Sequence, residues 1–198
     1  MRFGLTVIMV AALLGGGAQA QAQTRATVVK ESRPSSWKEF SSKEGRFSIS
    51  LPGAPTPSVR SMDTNIGKVT THSFALEGDL GVYYVAYVDF PVWPDNPDDI
   101  RTGLDSSRDQ AMQGGQLISE NDVWLGEILG REILVKKNNL IFHARYFFAK
   151  GRLFQAILTS APQIVFKEGE PTSNPSDFTD VYKSAAKRFF DSFKITAA

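Results

Sequence analysis

The chain has 198 residues, enough for one domain with a well-buried core, and its 22 lysines and arginines are balanced by 21 aspartates and glutamates. That balance removes the electrostatic bias that draws a protein to nucleic acid or acidic lipid. A hydrophobic share of 42% with 14 phenylalanines excludes a disordered body, and the lack of cysteine excludes disulfides and leaves stability to packing.

Residues 1–22 read as a secretory signal. Arg2 gives the positive start, Leu5 to Leu14 is a short apolar run, and Ala18-Gln19-Ala20 and Ala20-Gln21-Ala22 are equally good small-x-small cleavage patterns. The run falls short of the roughly 18 residues or more that span a bilayer, so a periplasmic or secreted protein with no membrane span in its mature form is expected, cut near Ala20 or Ala22. Residues 23–36 are polar and unpatterned, the composition of a flexible lead, and a single domain is expected over 37–198.

Phe47-Ser48-Ile49-Ser50-Leu51 alternates as a half-buried strand does, and is read as the first strand of a meander. Pro57 to Met62 and Lys68 to Leu76 flank a loop whose Asn65 and Gly67 suit a hairpin, and Val82 to Phe90 follows as a strand apolar on both faces. Phe90 to Pro94 must leave the sheet because of its prolines. A helix is signalled next: Asn96 as cap, Pro97 at its first position, Asp98 and Asp99 at the positive end of the dipole, and Gly114-Gly115 as its stop.

Gln116 to Leu125, Arg131 to Lys137, Leu140 to Ala149 and Arg152 to Ser160 are predicted strands, turned at Asn138-Asn139 and Lys150-Gly151. Ala161 to Pro175 reads as a surface crossing. Phe178, Val181, Ala185, Phe189 and Phe193 then predict a terminal helix with one apolar face. Central strands apolar on both sides require cover on both, so the expected class is α+β, an antiparallel sheet sandwiched between helices.

The segments Glu44 to Gly53, Tyr87 to Pro91, Gly130-Arg131-Glu132, Gly151 to Gln155 and Phe190 to Phe193 resemble, in that order, a group of small exported bacterial proteins of unassigned role, similar in architecture to the PsbP-like fold. The resemblance covers Trp37 to Ile195, and its landmarks are turn and core residues. Members of the wider fold include an extrinsic photosystem subunit and a nuclear transport factor that binds a small GTPase. What the resemblance implies is protein binding without catalysis, and it transfers no binding residue.

No phosphate loop, nucleophile elbow, zinc pattern or calcium loop is present, so no catalytic residue, metal or cofactor is assigned, although a calcium site built from carboxylates and carbonyls stays open. Asp95, Asp98 and Asp99 lack calcium-loop spacing and read as helix stabilisers. Alternation puts His143 and Arg145 on one face of their strand, near Asp89 or Tyr87 if those lie on a neighbouring strand. Such a set could grip an anion or exchange protons, or form a hydrogen-bonded polar pair at the sheet rim. Trp93, between prolines, is either an exposed anchor for a partner or a loop side chain folded onto its own core.

The candidate binding residues are thus Asp89, Trp93, His143 and Arg145. The expected function is an exported, non-enzymatic binding or assembly module for another envelope or secreted protein. The alternative is a small-ligand protein or enzyme with a pocket near His143.

Overall fold

The computed structural model describes residues 37–64, 67–91 and 96–196. The signal and lead segments (1–36), the loop tip Asn65-Ile66, and Trp93 with Asp95 lie outside the described residues.

The main body is a seven-stranded antiparallel sheet made of two meanders. The first holds β3 (Thr56–Thr64), β4 (Gly67–Gly78) and β5 (Gly81–Asp89). The second holds β6 (Gln116–Leu125), β7 (Ile128–Lys137), β8 (Leu140–Ala149) and β9 (Arg152–Ser160). They join through β5 and β9, giving the order β3-β4-β5-β9-β8-β7-β6. Two-residue turns close the predicted hairpins, with Asn138 at φ 53° in one and Lys150 and Gly151 at φ 51° and 79° in the other. At the β4–β5 turn Gly81 has φ 128°, and a Cβ there would lie 1.9 Å from the Thr159 carbonyl oxygen. Only glycine fits where β5 begins beside β9.

Both faces of the sheet are covered, as the doubly apolar strands require. On one face lies α1 (Pro97–Met112), whose Leu104 and Ala111 pack with Ile133, Ala144, Phe148 and Leu153. Its start follows the sequence signals: the Asn96 side chain accepts from the Asp99 amide at 2.9 Å, and Pro97 takes the first turn. On the other face lie α3 (Asp180–Asp191) and a three-stranded sheet of β1 (Lys38–Ser42), β2 (Phe47–Leu51) and β10 (Lys194–Ile195), in the order β1-β2-β10. Phe47, Ile49 and Leu51 enter the core between the two sheets. The α+β class with its sheet between helices is therefore the observed one.

Three local readings are corrected. Phe47–Leu51 is a strand but not the start of the meander: it is the middle strand of the separate small sheet, preceded by β1, which has one apolar residue and gave no alternation signal. The crossing after Ser160 is not purely superficial, because α2 (Pro162–Val165) and the following Phe166 bury Val165 and Phe166, whose ring meets Phe178 at 5.3 Å. In the terminal helix the buried stripe is Tyr182, Ala186, Phe189 and Phe190, and Val181 is 66% exposed. The reason is rotational: steps of four residues drift by about 40° each, so the expected spacing of 4-4-4 wanders about 120° around the helix. The 4-3-4 spacing of Tyr182, Ala186, Phe189 and Phe193 stays within an arc of about 60°.

Candidate functional site

Alternate residues of β8 face α3, with Ile141, Phe147 and Ala149 in the core and His143 and Arg145 at its margin. The two sequence candidates do share a face. His143 Nδ1 lies 2.8 Å from the buried hydroxyl of Tyr182 on α3, and its Nε2 lies 3.6 Å from Glu132 Oε1 on β7. Arg145, directly opposite Glu132 in the β7–β8 register, donates from Nε to Glu132 and from Nη1 to Asp191 at 3.0 Å. Lys187 then donates to the other oxygen of Asp191 at 2.7 Å. The Arg145 guanidinium also lies 5.1 Å from the centre of the Phe190 ring, a cation–π contact.

The electrostatics follow from these contacts. Burial alone would raise the Glu132 carboxyl, but the His143 contact and the Arg145 guanidinium outweigh it and hold the carboxyl at about 2. Asp191 is likewise lowered: desolvation opposes ionisation, and Lys187 and Arg145 overcome it. The Tyr182 phenol moves the other way, pushed up by burial and then by the nearby Glu132 charge. Between β8 and α3 the surface forms a hollow of about 240 Å³, with Phe178, Tyr182, Ala186 and Phe190 as apolar lining and Arg145, Lys183 and Lys187 as its cations.

Asp89 is not part of this group. Strand β9 is inserted between β5 and β8, and Asp89 pairs in register with Arg152 at the far end of β5. Arg152 Nε donates to Asp89 at 2.6 Å, lies over the Tyr87 ring at 4.5 Å, and also bonds the Glu44 carbonyl, tying the large sheet to the β1–β2 turn. The expectation of Asp89 or Tyr87 beside His143 fails because sequence alternation gives the face of a strand but not the identity of its neighbour. Trp93 is outside the described residues. Asp99 Oδ2 accepts from Asn96 Nδ2 at 2.6 Å, as a helix-start residue does.

A second polar cluster, on the α1 side, was missed in the sequence. Arg131 on β7 is almost fully buried and meets Asp105 of α1 at 3.0 Å, Asp122 of β6 at 3.0 Å, and Glu120. Arg108 reaches Glu120 at 3.1 Å, and Arg101 reaches Asp122 at 3.3 Å. The signal existed in the 4-3 spacing of Arg101, Asp105 and Arg108 and the alternation of Glu120 and Asp122. The cluster fastens α1 to the β6–β7 hairpin. Beyond it Trp124 stands 63% exposed on β6.

Among the described residues no group of three or more His, Cys, Asp or Glu side chains could hold a metal ion. No described helix is long and apolar enough to cross a membrane. No protein-family model matches the chain, and no curated protein matches it in sequence. Among solved structures the chain is similar to cyanobacterial PsbP (CyanoP) from Synechocystis at 14% identity and a TM-score of 0.47, covering 87% of this chain and 98% of that one. It is also similar to a protein of unknown function from Pseudomonas aeruginosa at 9% identity and a TM-score of 0.32, covering 64% of this chain and 84% of that one. Likenesses of this depth transfer no activity or partner.

Proposed function

We propose that the protein is an exported, non-catalytic binding or assembly module that meets another envelope or secreted protein through the surface where α3 lies over β8. The observation that carries this reading is that the polar groups around the hollow are engaged with one another. His143 is held by Tyr182 and Glu132, Arg145 by Glu132 and Asp191, and Lys187 by Asp191. General acid–base chemistry asks for a group whose pKa lies near the working pH. Glu132 and Tyr182 are displaced away from neutrality in opposite directions. A rim of satisfied charges around an apolar floor is instead the usual make-up of a contact surface.

The second reading, a small-ligand protein, draws support from the hollow at His143. Its 240 Å³ falls below the roughly 300–1,000 Å³ typical of sites that bury most of a ligand.

Export and binding are tested together. A photo-crosslinking amino acid is placed at Lys183 or at Arg60 on β3, in the native host, and the mature N-terminus is sequenced. The reading expects a start at Gln21 or Gln23, and a discrete adduct with one envelope protein from position 183 but not from position 60. An unprocessed Met1, or equal labelling from both positions, would refute it.

A further inference from the structure

We propose that the hollow between β8 and α3 receives an acidic segment of a protein partner, one carboxylate seated against Lys183 and Lys187 and an adjacent apolar side chain against Phe178, Ala186 and Phe190. This rests on the binding-module reading above and adds the partner's chemistry.

Charge is the first argument. The lining holds three cations, Arg145, Lys183 and Lys187, and one carboxylate, Asp191; Glu132 pairs with Arg145 from outside the lining, so the donors left to a ligand are those of the two lysines. The site already displays its preference: Asp191 sits between Arg145 at 3.0 Å and Lys187 at 2.7 Å, a carboxylate gripped by two cations at the edge of the hollow. Lys183 is engaged more loosely. Its ammonium lies 3.8 Å from Asp180, whose side chain is 92% exposed, and 3.4 Å from the Ser176 carbonyl. Contacts so long and so open to water hold little of its charge, which leaves it to meet an incoming anion. The Lys187 ammonium is open to solvent, with 78% of its side chain exposed, and carries donors beyond the one given to Asp191.

Size and shape select a segment rather than a free small molecule. About 240 Å³ holds one or two side chains, so the rest of the ligand must lie outside. The floor is aromatic and aliphatic and sits next to the cations, which suits an acidic residue beside a leucine or phenylalanine. A lipid surface fits less well, because Asp177, Asp180 and Asp191 are interleaved with the lysines along this face and membrane-binding helices present a broad basic one.

The test uses the full chain and a fluorescein-labelled acetylated peptide with two glutamates between two leucines, flanked by serines. Its controls are a twin with glutamines and a twin with serines for leucines. Anisotropy reports affinity, and amide shifts report the place. The glutamate peptide should bind more weakly as salt rises and should shift Lys183, Ala186, Lys187 and Phe190. Both twins should bind more weakly. The double change Lys183→Gln with Lys187→Gln should weaken binding about 2- to 30-fold, two rim charges at roughly 0.2–1 kcal/mol each, with the melting temperature held. Equal binding of the twins, shifts away from α3, or the same shifts with anionic phospholipid vesicles would overturn the proposal. Crosslinking at position 183 without any binding of the glutamate peptide would overturn this chemistry while leaving the binding-module reading intact.

Discussion

Replacing Phe193 by alanine should be among the costliest single truncations in the chain. Phe193 follows α3 and is buried, with its ring 5.8 Å from Phe47 of β2, 5.9 Å from Phe147 of β8 and 5.9 Å from Phe154 of β9. It therefore joins the small sheet to the large one, and its loss opens a cavity bordered by both. Such a truncation costs about 3–5 kcal/mol against a total stability of about 5–15 kcal/mol. At about 2–4 °C per kcal/mol for a chain of this size, the melting temperature should fall by about 6–20 °C. Urea and thermal unfolding followed by near- and far-ultraviolet circular dichroism measure this, with coincident transitions showing that the two-state treatment holds. Val181→Ala is the internal control: the residue is exposed, so its replacement should shift stability by no more than about 0.5 kcal/mol. A loss below about 1 kcal/mol for Phe193→Ala, or an equal loss for both, would refute the packing argument.

Gly81→Ala should destabilise by about 2 kcal/mol or more in urea unfolding, since the new Cβ meets the Thr159 carbonyl at 1.9 Å and the backbone there is left-handed. Tyr182→Phe leaves His143 Nδ1 buried without its 2.8 Å partner and should cost about 1–3 kcal/mol; an unchanged urea midpoint would mean that the bond carries nothing. Glu132 has a folded pKa of about 2, lowered from 4.5, so its contribution is present above about pH 4.5 and lost as pH falls through about 2. At about 1.4 kcal/mol per unit this amounts to about 3 kcal/mol, and Glu132→Gln should flatten that part of the stability–pH curve.

The strands of the large sheet, their turns and the first helix are legible because each carries a local signal. Asn138, Lys150 and Gly151 take positive φ in their turns, and Asn96-Pro97 writes a helix start in adjacent residues. What was illegible depends on which segments meet. Lys38–Ser42 becomes a strand only because Phe47–Leu51 lies beside it, with Phe40 opposite Ile49. Phe166 is buried only because Phe178 returns over it. The same limit governs the site. Alternation put His143 and Arg145 on one face, yet their true partners, Glu132, Tyr182 and Asp191, come from the preceding strand and from a helix about 40 residues on. Asp89 would join them only if β5 neighboured β8, and β9 lies between the two.

The contacts that hold the His143 group also fix α3 on the large sheet. A short amphipathic helix draws its stability mainly from packing. Here the packing of Tyr182, Ala186, Phe189 and Phe190 is supplemented at one flank by His143–Tyr182 and by Glu132–Arg145–Asp191, which fix the rotation of the helix against β8. Any drift about the helix axis would separate Asp191 from Arg145 and uncover Phe190. With its rotation fixed, the helix presents Lys183 and Lys187 at constant spacing beside the hollow, so under the proposed binding reading a partner would have few side chains to order there.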